Sequence, residues 1–189
     1  LERYLGVAFA ERDSRHLWTD VGFGPKGARF AGPTDEKLHR GDVLRIDASG
    51  WGNGYVSDQS RSLAWDGEIS DEARRAHAAI YRMNTELREA VRPGVLPSDL
   101  YRLVMRLFEE EGFNSLTPQA GHSLGRVAHE PPFLVEGSDR PLEPGMIVVV
   151  EPTMRLEGVG SFNIEDTTVL TEDGCEVLTS TPREWDAFL

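Results

Sequence analysis

The segment LHRGDVLRID at residues 38–47 resembles the segment LEPGMIVVVE at residues 142–151. Each has a leucine, a glycine three residues later and then an apolar run rich in β-branched residues, which is typical of a buried strand. Each segment ends on a carboxylate nine residues after its leucine, at Asp47 and at Glu151. The pair predicts two related strands, each with an acid at its end.

A second strand follows each of these segments and carries a second acid. In residues 55–63 the acid is Asp58, and in residues 162–170 it is Glu165. Both acids lie three residues after an aromatic residue and five residues before a leucine. A chance likeness between apolar strands is the alternative interpretation. If the two halves instead pack as a pseudo-symmetric pair, the repeat brings four carboxylates together.

Four carboxylates against apolar strands cannot all be ionised without partners. Either some of them keep their protons, or they bind about four positive charges, which means two divalent cations. A neutral imidazole beside oxygen ligands suits Mn, Fe, Co or Zn, and His122 lies in the run GHSLG, where glycines permit close backbone approach. Taken singly, an acid at a strand end is commonly a turn cap and a histidine in a glycine loop is commonly structural. The combination predicts a metal site made of Asp47, Asp58, His122, Glu151 and Glu165.

The composition argues against some classes of protein. The chain has 20 Lys and Arg against 32 Asp and Glu, a formal net charge of −12, which disfavours a nucleic-acid binder that relies on phosphate contacts. No run approaches the roughly 20 apolar residues of a membrane span, and no signal peptide is visible. The single cysteine, Cys175, cannot form an intrachain disulfide. That fits a reducing compartment, so we expect a cytoplasmic protein with no membrane partner.

A length of 189 residues favours one domain over residues 1–189, and because the first residue is Leu1 we expect that domain to be truncated at its N-terminus. Glycines at residues 50–54 predict a hairpin within residues 43–63. Ser70 predicts the N-cap of a helix to about Val91, and Ser98 that of a second helix ending near Gly112. Residues 119–132 predict a loop, and residues 146–152 and 162–170 predict strands.

Five ordered motifs in residues 30–180 resemble those of the pita-bread metallopeptidases, which include methionine aminopeptidase, aminopeptidase P, prolidase and the metal-free creatinase. They are IDA at 46–48, SDQSR at 57–61, GHSLG at 121–125 running to HEPP at 129–132, EPGM at 143–146 running to Glu151-Pro152, and IEDT at 164–167.

The resemblance implies an α+β fold, the pita-bread fold, with two similar, pseudo-symmetric αβ halves around a curved antiparallel sheet. It implies two divalent ions, with Mn expected first and Co, Zn or Fe as alternatives. Asp47 would hold one ion, His122 and Glu151 the other, and Asp58 and Glu165 would bridge them. A metal-bridged water would attack a peptide carbonyl, and Glu151 would transfer protons. The same resemblance implies a homodimer.

Two further residues are expected to contact substrate. His129, seven residues after His122, would donate a hydrogen bond toward the substrate or the tetrahedral intermediate, although a structural loop histidine is the alternative. Phe30 stands where the family usually has a histidine and would offer an apolar wall to a substrate ring. The family pattern also differs at Pro118, Ser123 and Asn163, where His, Gly and Arg are usual.

The spacing of 14 residues between Glu151 and Glu165, the GPTD run at 32–35 and the HEPP run resemble the prolidase and aminopeptidase P branch. The expected activity is hydrolysis of the bond between an N-terminal residue and proline in a small peptide. Two alternatives stay open: another hydrolase or lyase reaction on a small molecule, and a metal-free protein-binding module. Retention of all five ligands argues against the module.

Overall fold

The computed structural model describes residues 2–25 and 35–185. The first half contains helix α1 (Glu2–Ala10) and strands β1 (Arg15–Phe23), β2 (Val43–Gly52) and β3 (Tyr55–Ala64). These strands form an antiparallel sheet in the order β1-β2-β3. Asn53 and Gly54 both have positive φ, at 51° and 91°, as a tight two-residue hairpin turn requires. The predicted hairpin is therefore confirmed.

The second half begins with two helices, α2 (Asp71–Ala90) and α3 (Pro97–Glu111). Seven short strands follow: β4 (Gly121–Ser123), β5 (Glu130–Phe133), β6 (Ile147–Val150), β7 (Thr153–Leu156), β8 (Gly160–Asn163), β9 (Asp166–Leu170) and β10 (Cys175–Val177). One antiparallel sheet has the order β10-β9-β6-β4-β5, and β7 pairs with β8. Helices mixed with antiparallel strands confirm the α+β class.

Helix boundaries follow the predictions at three of four ends. The Ser70 side chain accepts a hydrogen bond from the backbone N–H of Ala73, and Gly112 ends α3 with φ of 72°. The predicted cap at Ser98 is wrong, because α3 begins at Pro97 and Ser98 lies inside it. Proline suits the first helical position, since its fixed φ is helical and the N–H it lacks would have had no partner there.

The predicted loop at residues 119–132 is partly wrong, because β4 and the start of β5 lie within it. All three residues of β4 are buried, so the segment has no alternation of apolar and polar residues to indicate a strand. The predicted strands 146–152 and 162–170 exist, but each is interrupted at a carboxylate, Glu151 and Glu165. The breaks matter because they aim these side chains into the site described below.

Helices α2 and α3 cover the second half of the molecule. The buried face of α2 includes Ile80, Met83 and Leu87, and it packs with Phe162 and Ile164 from the strand side into one core. This layer gives β8 and the Glu165 segment a fixed backing. In the described part of the chain, none of the helices has the length and apolar character needed to cross a membrane.

The core of α2 makes a stability prediction. Leu87→Ala removes a fully buried side chain and should lower the free energy of unfolding by about 2–5 kcal/mol, because it loses apolar burial and leaves a cavity. Glu89→Ala, an exposed substitution on the same helix, is the matched control and should change it by less than about 0.5 kcal/mol. Urea unfolding followed by circular dichroism measures both. An equal loss in the free energy of unfolding for the two variants would contradict the packing of Leu87 in the core.

Candidate metal centre

The structure brings all five predicted ligands to one place. Their donor atoms form two overlapping sets, in each of which one atom per residue lies within 4.8 Å of the others. The first set is Asp47, Asp58 and Glu165, and the second is His122, Glu151 and Glu165. Glu165 is therefore common to both. The family resemblance implies two shared carboxylates, Asp58 and Glu165, and of these Glu165 belongs to both sets while Asp58 also lies in a third set with His122 and His129. That the cluster binds metal stays a prediction.

The strand register shows where the two halves differ. Asp47 lies opposite Ser60, and Asp58 lies opposite Ser49, two residues further along β2. In the second half, Thr153 lies opposite Asn163 and Val150 opposite Asp166. If Asp47 and Glu151 are equivalent, the register counterpart of Asp58 is Asn163, not Glu165. The sequence repeat thus pairs two acids that the strand ladders offset by two residues.

Burial raises the pKa of each carboxyl group in the cluster. Desolvation, followed by the charges of Asp47 and Glu151, raises the pKa of Asp58 to about 8. Desolvation and then Asp47 raise the pKa of Glu151 to about 7. Desolvation and then Asp58 raise the pKa of Glu165 well above its usual value. Without a cation, the cluster would hold protons at neutral pH.

Two oxygens of the cluster indicate what the site accepts. Among the described residues, Asp58 Oδ1 and Glu165 Oε2 are buried and have no hydrogen-bond partner. A buried acceptor without a donor is costly, and a divalent cation satisfies such oxygens directly. The residues present therefore fit divalent ions.

His122 is held in the form that can bind a metal. Burial lowers the pKa of its imidazole to about 4, so the ring is neutral. Its Nδ1 lies 3.0 Å from the backbone oxygen of Ser123, which can only accept, so Nδ1 carries the hydrogen. The lone pair is then on Nε2, which lies 3.4 Å from Glu151 Oε1. The ring thus presents an acceptor atom to the carboxylates.

Gly121 sets the position of β4. A Cβ atom at Gly121 would lie 2.0 Å from the backbone oxygen of Val149, so any side chain would push β4 away from β6. Because His122 follows at once, this close approach also fixes its distance from Glu151. Ser123, which stands where the family usually has glycine, donates a hydrogen bond from Oγ to the backbone oxygen of Ile147 at 2.6 Å. This bond strengthens the contact between β4 and β6.

Several residues that the sequence did not single out support the ligands. Gln119 donates from Nε2 to Glu151 Oε1 at 2.8 Å. Arg45 donates to Asp47 Oδ2 at 3.2 Å and also contacts Asp20. One signal could have found Arg45: a charged residue in the run VLRID, two positions before Asp47 and so on the same strand face. Asp20 gives no such signal until β1 pairs with β2, which sets it opposite Asp47.

A buried network of ion pairs and hydrogen bonds holds the backbone around Glu165. Arg61 donates to the Glu165 backbone oxygen at 2.6 Å and to Asp166 Oδ1 at 2.7 Å. Arg88 of α2 donates to Asp166 Oδ2 at 3.1 Å. Asn163, where the family pattern has Arg, bonds the Pro152 oxygen and Thr153 Oγ1, so it stabilises the backbone next to the site. These hydrogen bonds therefore hold the backbone at Glu165 and on either side of it.

The ligands open into a cavity of about 420 Å³. His129 is exposed at its wall, with its ring centroid 4.2 Å from that of His122 and 6.4 Å from that of Trp18, whose ring is nearly parallel to it. His129 also joins Asp58 and His122 in a third set of possible donors. Pro118 is exposed nearby in sequence, and Phe30 lies outside the described residues, so its predicted role is untested.

A larger cavity of about 610 Å³ lies on the other face of β2 and β3. Ala48, Ser57 and Gln59 line it, and these residues alternate along the strands with Asp47 and Asp58. Of the five predicted ligands it contains only Asp58. Size alone would favour this cavity, but the titratable groups favour the smaller one.

Comparisons with known proteins agree with this geometry. Residues 2–172 match metallopeptidase family M24. The chain is 33% identical over 178 residues to a probable dipeptidase PepE of Mycobacterium tuberculosis, covering 93% of this chain and 47% of that protein. It is 30% identical over 154 residues to a Xaa-Pro dipeptidase of Lactobacillus helveticus, covering 81% and 42%. The crystal structure of dipeptidase PepE from Mycobacterium ulcerans superposes with a TM-score of 0.91 at 29% identity, over 97% of this chain and 50% of that one.

These matches confirm the predicted family resemblance and the pita-bread fold of two αβ halves. They also set a limit, since the chain spans about half the length of the curated relatives it matches, 47% and 42% in the two proteins above.

The raised pKa values predict how pH affects the metal-free protein. Between about pH 4 and pH 8 the folded chain keeps protons that the unfolded chain has lost, so the free energy of unfolding should fall as pH rises. Asp58→Asn removes one such carboxyl and should weaken this dependence. Thermal melts of chelator-treated protein at several pH values measure it. A steeper fall in the variant would contradict the assignment.

A divalent ion should reverse that loss of stability. Mn²⁺ at a hundredfold of its dissociation constant adds about 2.7 kcal/mol per site, which corresponds to a rise in Tm of roughly 5–11 °C. Asp58→Ala should abolish the rise while leaving the far-ultraviolet circular dichroism unchanged. An equal rise in Asp58→Ala and in wild type would show that the ion binds elsewhere.

Proposed function

The chain belongs to metallopeptidase family M24, and from that premise we propose that it is the catalytic part of a two-metal exopeptidase that cleaves between an N-terminal residue and proline. The observation that supports this most is the pair of overlapping donor sets with Glu165 in common. A carboxylate-rich cluster joined by the neutral imidazole of His122 suits divalent Mn, Co, Zn or Fe, with Mn proposed first.

Two divalent ions in these sets would lower the pKa of a water and stabilise the negative charge that develops on the attacked carbonyl oxygen. Asp47 would hold one ion, His122 and Glu151 the other, and Asp58 and Glu165 would be shared by both. The raised pKa values of the carboxyl groups in the metal-free chain fit this assignment, because a bound cation would replace the protons.

Glu151 is proposed as the general acid and base. It lies at the break after β6, where its carboxylate borders the cavity and accepts from Gln119. At this position it can take the proton that the attacking water loses and deliver it to the leaving nitrogen of proline. Gln119 keeps one carboxylate oxygen oriented during that transfer.

His129 is proposed to hold the substrate. Its exposed ring borders the same cavity and lies nearly parallel to the ring of Trp18. A ring nitrogen could then donate a hydrogen bond to the carbonyl oxygen of the substrate as negative charge develops there. Trp18 presents an apolar wall beside it, on which a substrate side chain can pack.

The specificity for proline is proposed on the name of the Lactobacillus helveticus relative, a Xaa-Pro dipeptidase. A hydrolase or lyase acting on a different small molecule is the second candidate, favoured by Pro118 in the position where the proline-specific branch often has a histidine. The homodimer, the cytoplasmic location and Phe30 as a substrate contact stay predictions.

Hydrolysis of a peptide panel tests the proposal. The Mn²⁺-loaded protein should release the first residue from Xaa-Pro dipeptides or longer Xaa-Pro peptides, and it should leave matched Xaa-Ala peptides largely intact. Glu151→Gln should lower kcat by at least about 100-fold, as loss of a general acid and base does. Glu89→Gln on the exposed face of α2 is the control and should have no effect.

The outcomes separate the candidates. Activity on neither peptide series by metal-loaded protein would overturn the exopeptidase proposal. Cleavage of Xaa-Ala as fast as Xaa-Pro would overturn the specificity but keep the peptidase.

A further inference from the structure

We propose that Arg45 and Asp20 form a charge-balanced ion pair, here called the brace, that positions Asp47 in the metal site. In this pair Asp20 keeps Arg45 from neutralising Asp47. The inference rests on the two-metal site proposed above and adds two positioning residues to it. Neither residue is a ligand; both act through Asp47.

The geometry places one guanidinium between two carboxylates. Arg45 lies on β2, two residues before Asp47 and on the same face, and its side chain is only 2% exposed. Its Nη1 donates to Asp47 Oδ2 at 3.2 Å, and its Nη2 donates to Asp20 Oδ2. Asp20 and Asp47 are direct cross-strand partners on β1 and β2. Arg45 therefore links a ligand to a second acid that borders the same cavity.

The charges explain why the acid is needed. Arginine keeps its positive charge in proteins, so Arg45 competes with any cation for the negative charge of Asp47. Asp20 provides a second negative charge for the guanidinium, and the two cancel. The ligands Asp58, Glu151 and Glu165 together with Asp47 then keep four negative charges, which match two divalent ions. Without Asp20 the positive charge of Arg45 would offset part of that total.

On the other side of the site the described hydrogen bond to Glu151 comes from a neutral donor, although the charge of Arg45 also acts on Glu151 and Glu165. Glu151 accepts its hydrogen bond from Gln119, a neutral amide that orients the carboxylate without reducing its charge. The two halves thus orient equivalent acids with different donors. In the described contacts a cation orients the carboxylate on the Asp47 side, and Asp20 lies beside that cation and balances its charge.

This arrangement predicts opposite effects of two single substitutions. Asp20→Asn removes one negative charge beside Arg45, so more of the guanidinium charge acts on Asp47 and divalent ions should bind the Asp47 side at least about tenfold more weakly. Arg45→Met removes the competing cation, so binding there should be as tight as in wild type or tighter. The double variant restores the charge balance and should return to within about threefold of wild type.

Calorimetric titration of Mn²⁺ into the metal-free protein measures these affinities, and electron paramagnetic resonance of the free Mn²⁺ checks the stoichiometry. Wild type should bind two ions. Asp20→Asn should keep one binding event and weaken the other. Asp99→Asn is the matched control, because Asp99 forms an exposed ion pair with Arg102 on α3 and its loss changes the net charge equally. It should leave both events unchanged.

The results separate this inference from the proposed function. No Mn²⁺ binding by wild type would overturn both. Two ions in wild type and unchanged binding in Asp20→Asn would overturn the brace alone. A double variant as weak as Asp20→Asn would also overturn it, since a lost contact and not a charge imbalance would then be the cause. If Asp20→Asn does not fold, weaker binding by Arg45→Met overturns the inference and tighter or equal binding supports it.

Discussion

Four carboxyl groups and one imidazole, buried or half-buried on neighbouring strands and at the breaks between them, are the constraint on which the rest of this structure depends. Left without cations, Asp58, Glu151 and Glu165 hold protons at pH values where free carboxylic acids are ionised, because burial and their mutual charges penalise ionisation. Such a cluster costs stability, so the surrounding fold must hold it in place. The hairpin, the breaks at Glu151 and Glu165 and the Arg61–Asp166 pair all serve to position it.

Much of this site could be predicted because its signals are local in sequence. The strands that carry Asp47 and Glu151 repeat one pattern over ten residues, and the acids recur at the same step. Ser70 and Gly112 mark helix ends through contacts within a few residues. The buried strand β4 could not be predicted, because a fully buried strand has no alternation of apolar and polar residues. The predicted helix cap at Ser98 was wrong because α3 already begins at Pro97.

The supporting residues depend on pairing between distant segments, and this is why they were missed. Asp20 becomes relevant only when β1 pairs with β2, and Arg61 only when β3 lies beside Glu165. Neither relation has a spacing that sequence alone reveals. The offset between Asp58 and Glu165 could not be predicted from sequence either. The sequence repeat suggests that the two acids are equivalent, and only the register of the paired strands shows that they are offset by two residues. Ligand types are therefore easier to predict than the residues that tune them.

Anomalous diffraction at the manganese absorption edge, from crystals of Mn²⁺-loaded protein, tests the central claim most directly. The predicted result is two peaks, one among Asp47, Asp58 and Glu165 and one among His122, Glu151 and Glu165. A metal-loaded crystal with no peak at these carboxylates, or with peaks only at the protein surface, would contradict the two-metal site.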